Sequence, residues 1–302
     1  MGAKGLSLLS GGLDSQLAVR VLQNAGAAVE AGCFATPFFG SAAAEKAAAA
    51  LGVELRVVDF TDDAVALVEN PPHGFGGAMN PCIDCHARMI KRAGELMERL
   101  GYDFVATGEV QGQRPMSQNR QSLGVVETCS GLKGRLVRPL SAKLLEPTIP
   151  EQEGTIDRAK LLDISGRSRE RQIALAAAFG IVDYPSPAGG CKLTEEGYCR
   201  KLKDLMDHEG LADRRLLELL RVGRRFRLPG GSSVILGRDR GENAVLRQTG
   251  IGTVVELREI PGPMALLPMV CSEADLEAAR GIVRAWSRGG TGRENYKEYQ
   301  IC

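Results

Sequence analysis

Long apolar runs are missing from this 302-residue chain, and no stretch approaches the roughly 20 apolar residues that a membrane-crossing helix needs. The start, residues 1–9, has no charged region followed by an apolar stretch and a small-residue cleavage site, so the reading is a cytoplasmic protein with no membrane partner. Aromatic residues are scarce at 5%, with one Trp, and only Phe226 stands near the most basic segment; base reading by stacking on single strands is not expected. Eight cysteines without an export signal argue against a disulfide framework, because cytosolic thiols stay reduced and a chain this long needs no staples. Metal ligation, sulfur chemistry or plain burial remain for them.

What is present is ordinary globular material: 44% hydrophobic and 25% charged residues, with 37 glycines and 14 prolines marking turns. The length suggests two domains. The net charge of +1 conceals an asymmetry, since residues 1–199 carry 20 basic against 23 acidic side chains and residues 200–302 carry 18 against 14. The C-terminal part is therefore the better candidate for meeting a polyanion.

Alternating apolar runs and helical spacings predict strands at 5–9, 27–34 and 54–60, with helices at 14–23 and 42–51, the latter with Ser41 as N-cap. Strands separated by helices imply a parallel sheet with covered faces, an α/β fold. A Gly- and Pro-rich loop at 70–81 leads to a helix from about His86 to residue 100 and a strand at 103–107, and a further helix is expected at 170–179. The segment 184–190, YPSPAGG, breaks regular structure. Beyond it the pattern predicts helix over 195–221, strands at 226–228, 233–237, 244–248 and 253–259, and a last helix at 272–287. The expected division is 1–180, a connecting region 181–215, and a smaller α+β domain 216–302.

Ser10-Gly11-Gly12-Leu13-Asp14-Ser15 falls between the first strand and the first helix. Glycines let backbone approach a ligand, and the free N–H groups at a helix start attract anions, so a phosphorylated ligand is expected there rather than a mere connecting turn. It is neither a Walker A loop nor G-x-G-x-x-G. A second motif, Asn80-Pro81-Cys82-Ile83-Asp84-Cys85-His86, sets two thiols three positions apart beside a helix start, whose positive end draws negative charge. It is open to burial, to a structural zinc completed by Cys191 and Cys199, to c-type haem attachment, and to sulfur transfer by a persulfide or an iron-sulfur cluster.

The SGGLDS segment resembles the PP-loop of the ATP pyrophosphatases, Rossmann-like enzymes that split ATP between its α and β phosphates. By that resemblance Ser10, Gly11, Gly12, Asp14 and Ser15 hold the pyrophosphate portion of ATP with Mg²⁺ nearby, and AMP becomes the leaving group on an activated oxygen. The cysteine motif, Thr107-Gly108-Glu109 with Gly112-Gln113 and Ser117-Gln118, and Arg138-Pro139-Leu140 with Lys143 are similar to the thiolating branch, the tRNA 4-thiouridine and 2-thiouridine synthases. The similarity covers roughly residues 5–200. It implies Gly108, Gln113 and Lys143 near the nucleotide, Asp14, Cys82 and Cys191 as catalytic residues, and Cys82, Cys85 and Cys191 as ligands of a [4Fe-4S] cluster, zinc being the alternative. Cys199 is the reserve ligand.

Unlike the common 4-thiouridine synthase, these residues include no RNA-binding extension ahead of the loop and no rhodanese-like domain after it. The expected sulfur source is sulfide or a separate donor. RNA capture is assigned to Arg221, Arg224, Arg225, Arg227, Arg238 and Arg240, in a stretch similar to the small RNA-binding domain of the NFACT family; a solvated basic face is the plain alternative. The expected function is ATP-dependent thiolation of a uridine, with cytidine as the second choice, in RNA, most naturally tRNA, with homodimerisation open. Two rivals remain: an ATP-dependent amidase or ligase of a small metabolite with structural zinc, and a nucleotide-sensing RNA-binding protein without turnover. His73 and His208 read as isolated surface or cap residues, and Cys33, Cys129, Cys271 and Cys302 as buried by default.

Overall fold

The structure, a computed structural model, describes residues 2–186 and 190–301, and the chain divides into two compact units, Met1–Thr194 and Glu195–Cys302. Residues 187–189, which include Gly189 and three of the seven positions of the 184–190 break, lie outside the described residues, as do Met1 and Cys302.

The first unit runs β1 (Lys4–Leu8), α1 (Leu13–Asn24), β2 (Ala28–Ala35), α2 (Ala42–Leu51), β3 (Leu55–Asp59), α3 (Thr61–Glu69), α4 (Cys82–Leu100), β4 (Phe104–Ala106), α5 (Arg120–Ser130), β5 (Leu136–Val137), α6 (Ile149–Gln152) and α7 (Glu170–Ala178). All sheet pairings in this unit are parallel, in the order β3-β2-β1-β4-β5. Each strand feeds a covering connection, which is why β1 and β4 read as continuous apolar runs: Leu6, Phe104, Val105 and Ala106 are fully buried. The core joins the inner faces of α1 and α2 to the sheet through Leu13, Leu17, Leu22, Ala44, Ala48 and Leu51. The α/β, Rossmann-like architecture expected from the sequence is present.

The order of this sheet reverses direction at β1, whose neighbours are β2 and β4. Open α/β sheets bind ligands beyond the carboxyl ends of the strands flanking such a point. The loop 9–12 follows β1 there, and Thr107-Gly108-Glu109 follows β4.

Two boundaries differ from expectation. The helix read from His86 begins at Cys82, because Pro81 is tolerated ahead of a first turn and the Cys85 amide donates to its carbonyl at 2.8 Å. Ser41 flanks α2 without capping it; its hydroxyl donates instead to Glu45 at 2.6 Å.

The second unit holds α8 (Glu196–His208), α9 (Arg214–Glu218), β6 (Arg224–Arg227), β7 (Ser233–Leu236), α10 (Arg240–Gln248), β8 (Thr253–Val255), β9 (Ala265–Leu267), α11 (Glu273–Trp286) and β10 (Gln300–Ile301). Its antiparallel sheet has the order β10-β6-β7-β9-β8 and packs on α11 through Phe226, Val234, Leu236, Ile282 and Val283. Residues 244–248, expected as a strand, form the end of α10. Asp239 caps that helix by accepting from the Glu242 amide at 2.9 Å, and a one-sided helix needs only Leu246 to be buried.

Candidate active site

The loop after β1 is braced by its own side chains. Ser15 Oγ donates to the Gly12 carbonyl at 2.8 Å, and Gln16 Nε2 donates to the Gly11 carbonyl at 2.8 Å and to the Asp183 carbonyl at 3.0 Å. Gly11 sits at φ +82°, where a Cβ would also run into the backbone of Ala43; only glycine fits. The amides that follow open the N-terminus of α1, an anion site by geometry.

The loop after β4 closes on it. A Cβ on Gly108 would lie 2.6 Å from the Ser15 nitrogen and 2.7 Å from the Asp14 carbonyl carbon, so this glycine is the point of backbone contact. Gln113 Nε2 donates to Asp14 Oδ2 at 2.7 Å, and Gln172 Nε2 from α7 donates to Gln113 Oε1 at 3.2 Å. Arg169, just ahead of α7, brings a guanidinium nitrogen to 4.0 Å from the same Asp14 oxygen. Asp14 Oδ1 and Arg169 Nε are both buried without a hydrogen-bond partner. A buried carboxylate oxygen and a buried guanidinium N–H left open beside an anion site fit a cation and a phosphate arriving together. Sequence reading missed Arg169 and Gln172; the run Arg167-Ser168-Arg169-Glu170-Arg171 looks like a solvated charged turn.

The cysteines come next to this loop through one buried carboxylate. Glu109, 5% exposed, pairs with His86 Nδ1 at 3.1 Å on one oxygen and accepts from Thr107 Oγ1 at 3.0 Å and Arg138 Nε at 2.9 Å on the other. Burial by itself would raise this carboxyl, but the Arg138 guanidinium and His86 outweigh it and hold it at about 2. His86 and Cys85 are neighbours in the first turn of α4, so the Glu109 bond sets the start of that helix beside the loop that touches Asp14. Asp84, in the same turn, accepts from the His73 amide at 2.9 Å and pairs with its ring at 2.6 Å. His73 is thus a tether for the 70–81 loop rather than an isolated surface residue.

Cys82 opens α4, and its sulfur accepts from Asn80 Nδ2 at 3.1 Å, which gives the Asn-Pro-Cys run a local purpose. Cys191 is half-buried ahead of a short turn, and the next residue, Lys192, donates from its amide to the Phe38 carbonyl at 2.9 Å, beyond the carboxyl end of β2. All three thiols are reduced. For Cys85, burial first, then the nearby thiols of Cys191 and Cys82 and the carboxylate of Asp84, push its proton affinity well above the ordinary thiol range. Residues 106 positions apart in the chain therefore act on each other electrically.

Among the described residues no three His, Cys, Asp or Glu side chains are gathered closely enough to hold a metal ion. One tetrahedral zinc requires sulfurs ~4 Å apart. Three thiols within electrostatic reach of one another are a donor set whose chemistry suits an iron-sulfur group as well as zinc. Cys199 is buried in α8 of the second unit, and Cys33 is buried with its thiol pushed up to about 11, by burial first and Glu45 second. Cys129 is exposed and Cys271 half-buried, so burial does not account for the former.

The Lys143 ammonium is exposed and donates to the Ala159 carbonyl at 2.8 Å.

In the second unit the expected arginine stripe is split. Arg225 is 1% exposed, with Asp204 at 3.7 Å and Glu209 at 3.9 Å, and Arg227 forks onto the same acids, with bonds of 2.6–3.0 Å. Two positions apart on β6, Arg225 and Arg227 share one face of the strand, where Asp204 of α8 and Glu209 just after it pair with both, so the two are corrected from surface ligands to internal structure. Arg238 is bonded to Glu242 at 2.9 Å. Arg221 and Arg240 are exposed and Arg224 is half-buried.

The first unit is an α/β nucleotide-binding type of fold with a glycine loop at the start of a helix and three free thiols, and the second is an antiparallel sheet with a helix packed on it. Residues 1–144 match the family model described as thiamine biosynthesis protein (ThiI), and residues 223–299 match the NFACT protein RNA binding domain. Each match covers less than half of the chain, so the first part is similar to the ThiI family and the last part to the NFACT RNA-binding domain.

A curated relative, a probable tRNA sulfurtransferase of Lachnoclostridium phytofermentans, is 29% identical over 175 residues, which is 55% of this chain and 39% of the relative. The chain accordingly spans about two fifths of that relative's length. A solved 4-thiouridine synthetase in complex with RNA and ATP aligns at 21% identity over 72% of this chain and 52% of its own, with a TM-score of 0.41. An NH3-dependent NAD synthetase from Campylobacter jejuni aligns at 15% identity over 73% of this chain and 83% of its own, with a TM-score of 0.36.

Proposed function

We propose that the protein is an ATP-dependent sulfurtransferase that thiolates a uridine in RNA, with tRNA as the natural substrate. One chain of contacts supports the reading: Gly108 touches the backbone of Asp14 and Ser15, the neighbouring Glu109 pairs with His86, and His86 adjoins Cys85, which feels the thiols of Cys82 and Cys191. An activated oxygen and an incoming sulfur have to share one pocket, and these contacts link the loop to the thiols.

In this reading the amides at the start of α1 and the hydroxyls of Ser10 and Ser15 bind the pyrophosphate portion of ATP. Gln113 fixes the rotamer of Asp14, whose second oxygen faces the substrate and would hold Mg²⁺. Arg169 neutralises charge on the departing pyrophosphate. The uridine carbonyl oxygen attacks the α-phosphorus, pyrophosphate leaves, and sulfur then displaces AMP from the ring carbon. Cys82, Cys85 and Cys191 would hold a [4Fe-4S] cluster, which when bound supplies an iron able to carry hydrosulfide. The thiols themselves orient the sulfur toward the adenylated carbon, and the burial of Cys85 keeps water from that face. Sulfide or a separate protein donor provides the sulfur, and the second unit captures the RNA.

Anaerobic purification with iron and acid-labile sulfide analysis, followed by nucleoside mass spectrometry of tRNA incubated with ATP and sulfide, tests the reading. Thiouridine formed only with ATP is expected. Pyrophosphate release without any thionucleoside would end it.

A further inference from the structure

The basic character of the second unit is not spread evenly. Arg215 is bonded to Asp213, Arg227 to Asp204 and Glu209, Arg238 to Glu242, Arg247 to Glu256, and Arg280 to Glu273 and Glu277. Arg224, Arg240 and Arg288 have no such acid partner among the described residues, yet these three line one cleft of about 270 Å³. They come from three places in the chain: β6, the first residue of α10, and the turn after α11. Trp286 forms part of the wall, with Phe226 packed edge-on at 5.5 Å and the Arg293 guanidinium 5.7 Å from its ring centre. The acid in the lining, Asp239, is turned to the amide of Glu242 as the cap of α10.

Three unpaired guanidinium groups facing one small concavity repel one another and focus a positive potential into it. An anion that enters removes that repulsion. The volume sits at the lower end of the range for small-molecule sites, about 300 Å³ and upward, which suits one nucleotide and not the broad face of a duplex. A duplex would need cations laid out along a track, and the acids of this unit have claimed most of its other arginines.

Resting on the RNA reading above, we infer that this cleft is a phosphate pocket that takes a single nucleotide from an unpaired stretch or end of the RNA. Arg224, Arg240 and Arg288 hold the phosphate and Trp286 flanks the sugar and base. The cleft thereby selects where on the RNA the enzyme docks, a task distinct from reading sequence. Phosphate could come from a terminal monoester or from an internal diester, and both share this recognition.

Fluorescence anisotropy of the full chain tests it with three labelled probes: a short single-stranded oligoribonucleotide with a 5′-phosphate, the same strand with a 5′-hydroxyl, and a blunt duplex of that sequence. Single strands are expected to bind at least about tenfold tighter than the duplex. The combined variant R224Q/R240Q/R288Q should lose about tenfold or more on single strands and show a flatter salt dependence. Loss confined to the phosphorylated strand assigns the terminal monoester, and equal loss on both strands assigns the diester. R215Q/R280Q/R284Q removes as many charges from acid-paired, exposed positions and should bind like the parent; matched unfolding curves check that each variant is folded. Unchanged single-strand affinity in the cleft variant, or an equal loss in the control variant, overturns the pocket. The function reading fails separately: intact cleft binding with no thionucleoside removes the thiolation, while thiolation that persists in a cleft variant of unchanged RNA affinity removes only the pocket.

Discussion

Gln113 and Asp14, 99 positions apart, are joined by a hydrogen bond of 2.7 Å from the Gln113 amide to the Asp14 carboxylate. The bond leaves one carboxylate oxygen buried without a hydrogen-bond partner, and in the proposed function that oxygen is the one offered to the metal and nucleotide. Removing the donor frees that rotamer. Gln113→Ala should raise the ATP requirement of pyrophosphate release by about 10- to 100-fold, the range for a hydrogen bond to a charged group. Steady-state kinetics of pyrophosphate release measures it; an unchanged KM would show that Asp14 is positioned without Gln113.

Gly108 gives a steric test. Its missing Cβ is the clearance between the β4 loop and the backbone of Asp14 and Ser15, and that backbone cannot yield as a flexible side chain would. Gly108→Ala should cost about 1–3 kcal/mol of stability and abolish most ATP turnover. Thermal unfolding read beside turnover separates the two effects, and a variant with parental values in both would remove Gly108 from the site.

Glu109 gives a pH dependence. Its folded value of about 2 lies below the 4.5 of a free glutamate, so the unfolded chain binds the proton first as pH falls. The stabilisation is fully present above about pH 5 and is lost progressively as pH drops toward 2. Glu109→Gln should be less stable than the parent at neutral pH, and the gap should close on acidification. Denaturant titrations at several pH values measure this; a gap that grows toward acid pH contradicts the assignment.

Cys85 gives a chemical test. With its thiol held protonated by burial, Cys191 and Cys82, it should alkylate slowest of the trio in the metal-free chain. Timed iodoacetamide labelling with peptide mass spectrometry ranks the three thiols. Iron-sulfur reconstitution should protect them together, and Cys85→Ser should abolish both that protection and the visible absorbance. Independent labelling of each thiol after reconstitution would show that they do not share a ligand.

The site was legible in the chain wherever chemistry depends on local spacing. SGGLDS between an apolar run and a helical period, and Cys82 with Cys85 three positions apart at a helix start, carry their meaning in adjacent residues. Gly108 and Gln113 were reached only through resemblance to a family, and the structure supplies their physical reason in the contacts with Asp14. Arg169 and Gln172 escaped because their partners lie far away in sequence, and a charged turn ahead of a helix looks the same whether or not one arginine points inward. Lys143 was likewise named only through resemblance, and in the structure its ammonium donates to the Ala159 carbonyl.

The sequence alone determined the alternation that makes a parallel sheet, the anion-binding loop, the paired thiols and the basic bias of the last hundred residues, since each is a property of neighbours along the chain. Tertiary structure alone decided which charges remain available. Arg225 and Arg227 are paired with Asp204 and Glu209, while Arg224, Arg240 and Arg288 line one cleft with no ion-pair partner among the described residues. Charge pairing acts over a few ångströms of space whatever the separation in sequence, so the count of arginines was written in the chain and their use was not.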